Sequence, residues 1–159
     1  MADSAPEFAA TVRAFFDAHR HKTLATLRKD GSPRISGIEG YFAIGELWLG
    51  MMPGSRKARD LQRDPRFALH SASVDPDEGD PSAWRGDAKL SGLAVEIADP
   101  EMRQAALQVI GHEELSGGEA HVFRAGIREV VLTSVGDPAD HLVIELWREG
   151  DGLHRSERR

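Results

Sequence analysis

The 159-residue chain contains no cysteine, which removes disulfides, thiolate nucleophiles and cysteine-ligated zinc together. It has no run approaching the ~18 apolar residues of a membrane span, and Met1-Ala2-Asp3-Ser4-Ala5-Pro6 offers neither the basic nor the apolar stretch of a signal peptide. Positive charge is in the minority, with 20 Lys and Arg against 26 Asp and Glu and a formal net charge of −6. A cytoplasmic protein with no affinity for nucleic acid or membrane is therefore expected, and any basic cluster in it is a local device. Several catalytic signatures are missing as well. Gly50 to Lys57 is not a Walker A loop, because its glycines are too close and no Ser or Thr follows the Lys. G-x-G-x-x-G and G-x-S-x-G do not occur, and His112-Glu113-Glu114, placed in a polar loop from Gly111 to Gly118, does not continue to a second His at metalloprotease spacing. Internal repeats and low-complexity stretches are absent too.

What is present centres on Gly54-Ser55-Arg56-Lys57-Ala58-Arg59. Ser55 is a good N-cap, Leu61 falls on one face of the following turn, and Asp64-Pro65 stops the helix. The free N–H groups and positive dipole end of that helix then face whatever sits beside Gly54. Arg56 and Lys57 add two charges there, and the arrangement suits a phosphomonoester. A solvated basic helix start is the plainer alternative.

The length fits one domain, residues 1–159, or one that completes its core by pairing with a copy of itself. Phe8, Val12, Phe15 and Phe16 mark an amphipathic helix over Ser4–Ala18, with Ser4 and Glu7 spaced as a capping box. Thr23 to Leu27 alternates toward an Asp30-Gly31 turn, and Pro33 to Ile38 runs back. Tyr41 to Ile44, a Gly45-Glu46 turn and Leu47 to Leu49 extend the meander; Arg66 to His70 and Ala88 to Ile97 are further strands. Val74 to Gly86 has loop composition, with Trp84 its one large apolar residue, and Asp99-Pro100 starts a helix running to about Val109. Val122-Phe123, Ile127 to Val135 and Leu142 to Trp147 read as two or three more strands, and Arg155 to Arg159 as a frayed tail. Strands outnumber helices and short turns join them, which favours a closed antiparallel barrel with a few helices. Of seven histidines only His19 and His21 are close in sequence, so a metal site has no nameable third ligand.

Leu24-Ala25-Thr26-Leu27-Arg28-Lys29-Asp30-Gly31-Ser32-Pro33-Arg34, Gly54-Ser55-Arg56-Lys57-Ala58, Asp64-Pro65-Arg66-Phe67-Ala68-Leu69 and Leu90-Ser91-Gly92, in that order, resemble the pyridoxamine 5′-phosphate oxidase-like superfamily of flavin-binding split barrels. The resemblance implies a six-stranded antiparallel split β-barrel, a homodimer, and FMN or a deazaflavin coenzyme held between subunits. By position, Ser55, Arg56 and Lys57 would hold the cofactor phosphate. Arg34 and Ser36 would face its ribityl chain or phosphate, and Gly50 and Met51 would pass the ring edge by backbone. Met51 and Met52 also suit core filling, and Arg34 an exposed strand position.

The chain departs from the oxidase itself at Gly86-Asp87, where an Arg-Gln pair is expected, and at Gly152, where an Arg is expected before Leu153-His154-Arg155. The oxidase's final segment is missing, which makes vitamin B6 oxidation a minority reading. The implied activity is hydride transfer between a flavin or deazaflavin and a small unsaturated substrate, which Trp84 and His154 are candidates to touch. For these two the plainer roles are a loop anchor and a solvated tail. A flavin- or haem-binding protein without turnover, or a dimeric scaffold, are the alternatives.

Overall fold

A computed structural model describes residues 1, 4–75, 79–111 and 120–159. Among them three α-helices, α1 (Pro6–Asp17), α2 (Arg56–Arg63) and α3 (Pro100–Val109), accompany nine strands. The strands are β1 (Lys22–Leu27), β2 (Pro33–Ile38), β3 (Gly40–Ala43), β4 (Glu46–Met51) and β5 (Arg66–His70), then β6 (Asp87–Glu96), β7 (His121–Val135), β8 (Leu142–Arg148) and β9 (Gly152–Arg158). All pairings are antiparallel within one sheet.

The chain itself forces that sheet to close. Its order β2-β1-β5-β6-β7-β4-β3 puts β2 and β3 at opposite ends, yet only Glu39 separates them in sequence. Consecutive Cα atoms lie about 3.8 Å apart, so the sheet must curl until its ends meet. No ladder joins β2 to β3 among the described residues, which leaves the barrel split along that seam. The long β7 makes the outer extension. Its first residues, His121–Ala125, pair with β4, and Glu129–Val135 pair with β8, which carries β9. The expected barrel class is thus present, with β8 and β9 added along β7.

The barrel is filled from two sides. Leu24, Leu47, Leu49, Leu69, Leu90, Phe123 and Val130 point inward from the strands. Phe8, Val12 and Phe16 of α1 and Ala58 and Leu61 of α2 join the same cluster. Phe16 meets Phe42 edge-to-face, with ring centroids 5.9 Å apart. A smaller cluster holds α3 through Ala106, Leu107 and Ile110 against Val122 and the flank of Trp48.

Three local expectations change. Ala5, not Ser4, is the N-cap of α1, and no side chain caps it; Ser4 Oγ instead accepts the Trp147 indole N–H at 3.1 Å. The β3–β4 turn is Ile44-Gly45, both at positive φ (52° and 75°), a primed hairpin that matches strand twist. Val122-Phe123 and Ile127–Val135, open in sequence as one strand or two, are one, because a bulge between Ser91 and Gly92 against β7 absorbs the irregular alternation. The frayed tail is strand β9: main-chain pairing with β8 orders it, not apolar packing, since its side chains are mostly exposed. The Gly111–Gly118 loop, with His112-Glu113-Glu114, falls almost wholly outside the described residues.

Gly92 at the bulge has no room for a side chain, because an added Cβ would stand 1.9 Å from the carbonyl oxygen of Gly126. Gly92→Ala is therefore expected to cost about 3 kcal/mol and to lower the thermal midpoint by about 6–12 °C, read by circular dichroism melting. An unchanged midpoint would show that the β6–β7 bulge relaxes freely.

Candidate functional site

Two neighbouring strands and one helix converge on a buried carboxylate. Thr26 of β1 and Arg34 of β2 stand directly opposite each other in the β1–β2 ladder. Both reach Asp60 on α2: Thr26 Oγ1 donates to Asp60 Oδ2 at 3.0 Å and Arg34 Nε to the same oxygen at 2.5 Å. Arg63, one helical turn on, holds Oδ1 at 3.2 Å and donates to the Leu27 carbonyl. The Asp60 side chain is only 5% exposed. Burial pushes its carboxyl up, but the hydrogen bonds from Arg34, Thr26 and Arg63 outweigh that and hold it below the usual carboxylate value.

This clamp sets α2 against the barrel and points its N-terminus across the end of β4. Gly54, at φ +65°, makes the turn into it. Ser55 caps it as expected, its Oγ accepting the Ala58 N–H at 3.4 Å. The N–H groups of Arg56 and Lys57, in the first turn, have no intrahelical acceptor. Lys57 Nζ donates to the Gly37 carbonyl of β2 at 2.6 Å, and burial pushes its ammonium below the ordinary value. Arg56 is exposed and makes no hydrogen bond or ion pair among the described residues. The Gly54 N–H is itself held, donating to His121 Nε2 at 3.3 Å, while His121 Nδ1 lies 2.6 Å from Glu96 Oε1. With Nδ1–H donating to that carboxylate, Nε2 is left as the acceptor.

Beside the clamp opens a surface hollow of about 660 Å³ between α2 and the β1–β2 turn. Arg28, Lys29, Arg34, Arg56, Arg59 and Arg63 line it, with Asp30 and Asp60. Of the residues expected from sequence, Arg34 and Arg56 reach this hollow. Ser36 is half-buried two residues beyond Arg34 on the same face of β2. Gly50 is half-buried at the end of β4, while the Met51 side chain fills the core and Met52 is exposed. Trp84 is half-buried after a short 3₁₀ turn, and His154 is exposed on β9 beside the Asp151 carbonyl; neither lines the hollow. Asp60, Arg63, Glu96 and His121 were not legible as site residues, because each acts through a partner distant in sequence. The described residues contain no His, Asp and Glu cluster that could hold a metal.

The sequence model of the pyridoxamine 5′-phosphate oxidase family matches residues 8–133. The chain belongs to that family. No curated protein matches it closely enough to narrow the assignment. Solved structures share the fold at low identity. A pyridoxamine 5′-phosphate oxidase-related, FMN-binding protein from Nostoc punctiforme superposes with TM-score 0.67 at 16% identity, over 100% of this chain and 98% of that one. A haem-binding protein from Mycobacterium smegmatis gives 0.65 at 16%, over 96% and 88%. A conserved hypothetical protein from Mycobacterium tuberculosis gives 0.59 at 23%, over 76% and 81%. In this chain Asp60 binds a strand cation, Arg34, to the middle of α2.

Removing the clamp's acid leaves Arg34 and Arg63 facing each other without compensation. Asp60→Ala is expected to lower stability by about 3–5 kcal/mol at pH 7, read from urea midpoints. The sign of the pH dependence follows from the depressed folded-state value. The contribution is complete above the unfolded carboxyl's pKa of about 4 and is lost as pH falls through the lower folded value. The gap between wild type and Asp60→Asn should therefore narrow from pH 5 to pH 2. A gap independent of pH over that range would show that the carboxylate charge is not what the clamp uses.

Proposed function

We propose that the chain is a flavin-dependent oxidoreductase of this family, a homodimer that anchors FMN by its phosphate at the start of α2. The observation that carries this reading is the donor set there. It comprises two N–H groups without intrahelical acceptors, the unengaged Arg56 guanidinium, and a Lys57 ammonium with donors left over after its one bond to Gly37. Ser55 adds a hydroxyl proton, since its oxygen is the atom that caps the helix. Arg34 keeps its outer nitrogens available beyond the Nε bonded to Asp60. These groups fit a doubly charged phosphomonoester, and an anion beside Lys57 would favour its charged form against the burial that depresses it.

A flavin held there supplies hydride-transfer chemistry of its own. The chain's residues do the rest. Arg56 and Lys57 neutralise the phosphate, and the α2 dipole adds to them. His121, held by Glu96, fixes the Gly54 amide and with it the path of the loop into α2. Gly50, half-buried at the end of β4, offers backbone without a side chain where a planar ring would pass. The FMN-binding neighbour from Nostoc punctiforme supports a flavin as ligand, and a deazaflavin coenzyme would use the same phosphate anchor.

Titration of the purified protein with FMN, with the deazaflavin coenzyme and with haemin separates these ligands. Saturation by FMN at one per subunit, followed by bleaching with a reduced nicotinamide and reoxidation by an added acceptor, is the expected result. A haem absorption band without flavin binding would favour the role named for the Mycobacterium smegmatis neighbour. In the double variant Arg56→Ala, Lys57→Ala, FMN affinity should fall about 100-fold or more, because hydrogen bonds to charged groups contribute ~1.5–3 kcal/mol each. Unchanged affinity would remove the phosphate anchor from α2.

A further inference from the structure

The hollow beside α2 holds more positive charge than one phosphate group can balance. Six cationic and two acidic side chains line it, an excess of four, in a chain whose formal charge is −6. Some of those cations are already engaged. Arg34 and Arg63 share Asp60, and Arg28 donates to the Pro33 carbonyl at 2.6 Å and to Ser32 Oγ at 3.2 Å. The second acid is turned inward to its own turn: Asp30 Oδ1 accepts the Ser32 N–H and hydroxyl at 2.9 and 2.7 Å, and those bonds hold its carboxyl ionised below the usual value. Lys29, Arg56 and Arg59 make no hydrogen bond or ion pair among the described residues.

Their placement gives these cations a direction. Arg56, Arg59 and Arg63 recur at i, i+3 and i+7, so they form one stripe down α2, about 10 Å from first to last. Arg59 turns back toward the loop, with Nη2 standing 3.7 Å from where a Cβ on Gly54 would be. Lys29 faces the stripe from the β1–β2 turn, across the hollow. A phosphomonoester carries about two negative charges and occupies the head of this stripe in the function proposed above. That leaves Lys29 and Arg59 with nothing to balance them, in a space of about 660 Å³.

We propose that the hollow binds a second anionic group of the phosphate class next to the first, with Lys29 and Arg59 as its principal contacts. The group belongs either to a cofactor with a diphosphate linkage or to a phosphorylated substrate that approaches the same helix. The placement next to a flavin phosphate rests on the flavin reading, whereas the anion subsite does not.

The test therefore starts with inorganic probes. Calorimetry of the purified full chain at physiological salt compares orthophosphate with tripolyphosphate, for wild type and for the double variant Lys29→Gln, Arg59→Gln. Both residues are exposed and unpartnered, and matching melting curves would show that the variant is folded. Tripolyphosphate is expected to bind wild type at least about tenfold more tightly than orthophosphate, and the variant is expected to lose most of that advantage. Equal binding of the two anions, or an advantage that survives in the variant, would overturn the proposal. FAD and FMN then locate the source. A preference for FAD that the variant abolishes places the second phosphate on the cofactor. A tripolyphosphate advantage that persists in FMN-saturated protein, with no preference for FAD, places it on the substrate. Absence of all flavin binding would defeat the flavin reading, and the polyphosphate comparison would still decide the subsite.

Discussion

The buried Asp60 carboxylate is the constraint on which the rest of the site depends. Taking a charge out of water costs several kcal/mol, and a single partner rarely offsets that. Here three donors from three segments do so together: Thr26 from β1, Arg34 from β2 and Arg63 from the next turn of α2. Because Thr26 and Arg34 are already cross-strand partners, the carboxylate reads the register of the β1–β2 hairpin. A one-residue slip would turn one of the two away from it. The clamp therefore specifies where α2 sits as well as holding it there.

That position matters because α2, which links β4 to β5 in the chain, packs against β1 and β6 and contributes Ala58 and Leu61 to the barrel core. Its inner face is thus fixed by apolar packing and the clamp, while Arg56 and Arg59 are left outside with no protein partner. The same logic runs through the loop before it. His121 and Glu96 come from the ends of β7 and β6, and they hold the Gly54 amide, so the turn into α2 is tied to β7, the strand that pairs with β4, and through it to β6. Lys57 ties it to a third point, the Gly37 carbonyl of β2. An anion arriving at this helix start meets donors that are already placed, which lowers the ordering cost of binding.

What the sequence made legible follows the range of the interaction. Ser55 and Asp99 act on amides three residues ahead, and both caps form as read. Asp30-Gly31 makes its turn within four residues, and Phe8, Val12 and Phe16 recur at helical spacing and are buried. Asp60 was hidden because an acid inside a basic helix reads as an ordinary surface residue, and its partners lie 26 and 34 positions away. His121 was hidden for the same reason, with Gly54 at a distance of 67 positions. Strand β9 went unread because His154-Arg155-Ser156-Glu157-Arg158 shows no apolar alternation, and its order comes from the edge that β8 presents. Met51 was undecided in sequence, and the alternation of β4 turns its side chain inward.

The division of charge also bears on how a ligand reaches this site. Over the whole molecule acids outnumber bases, so an anion at a distance meets net repulsion. The attraction of the basic hollow is local to the side of α2 and the β1–β2 turn, and beyond about 8 Å at physiological salt it is screened. Capture is then selective for ligands that can bring a charged end close while the rest of the molecule is neutral. A flavin has that shape, with its anionic group at one end and an uncharged ring at the other.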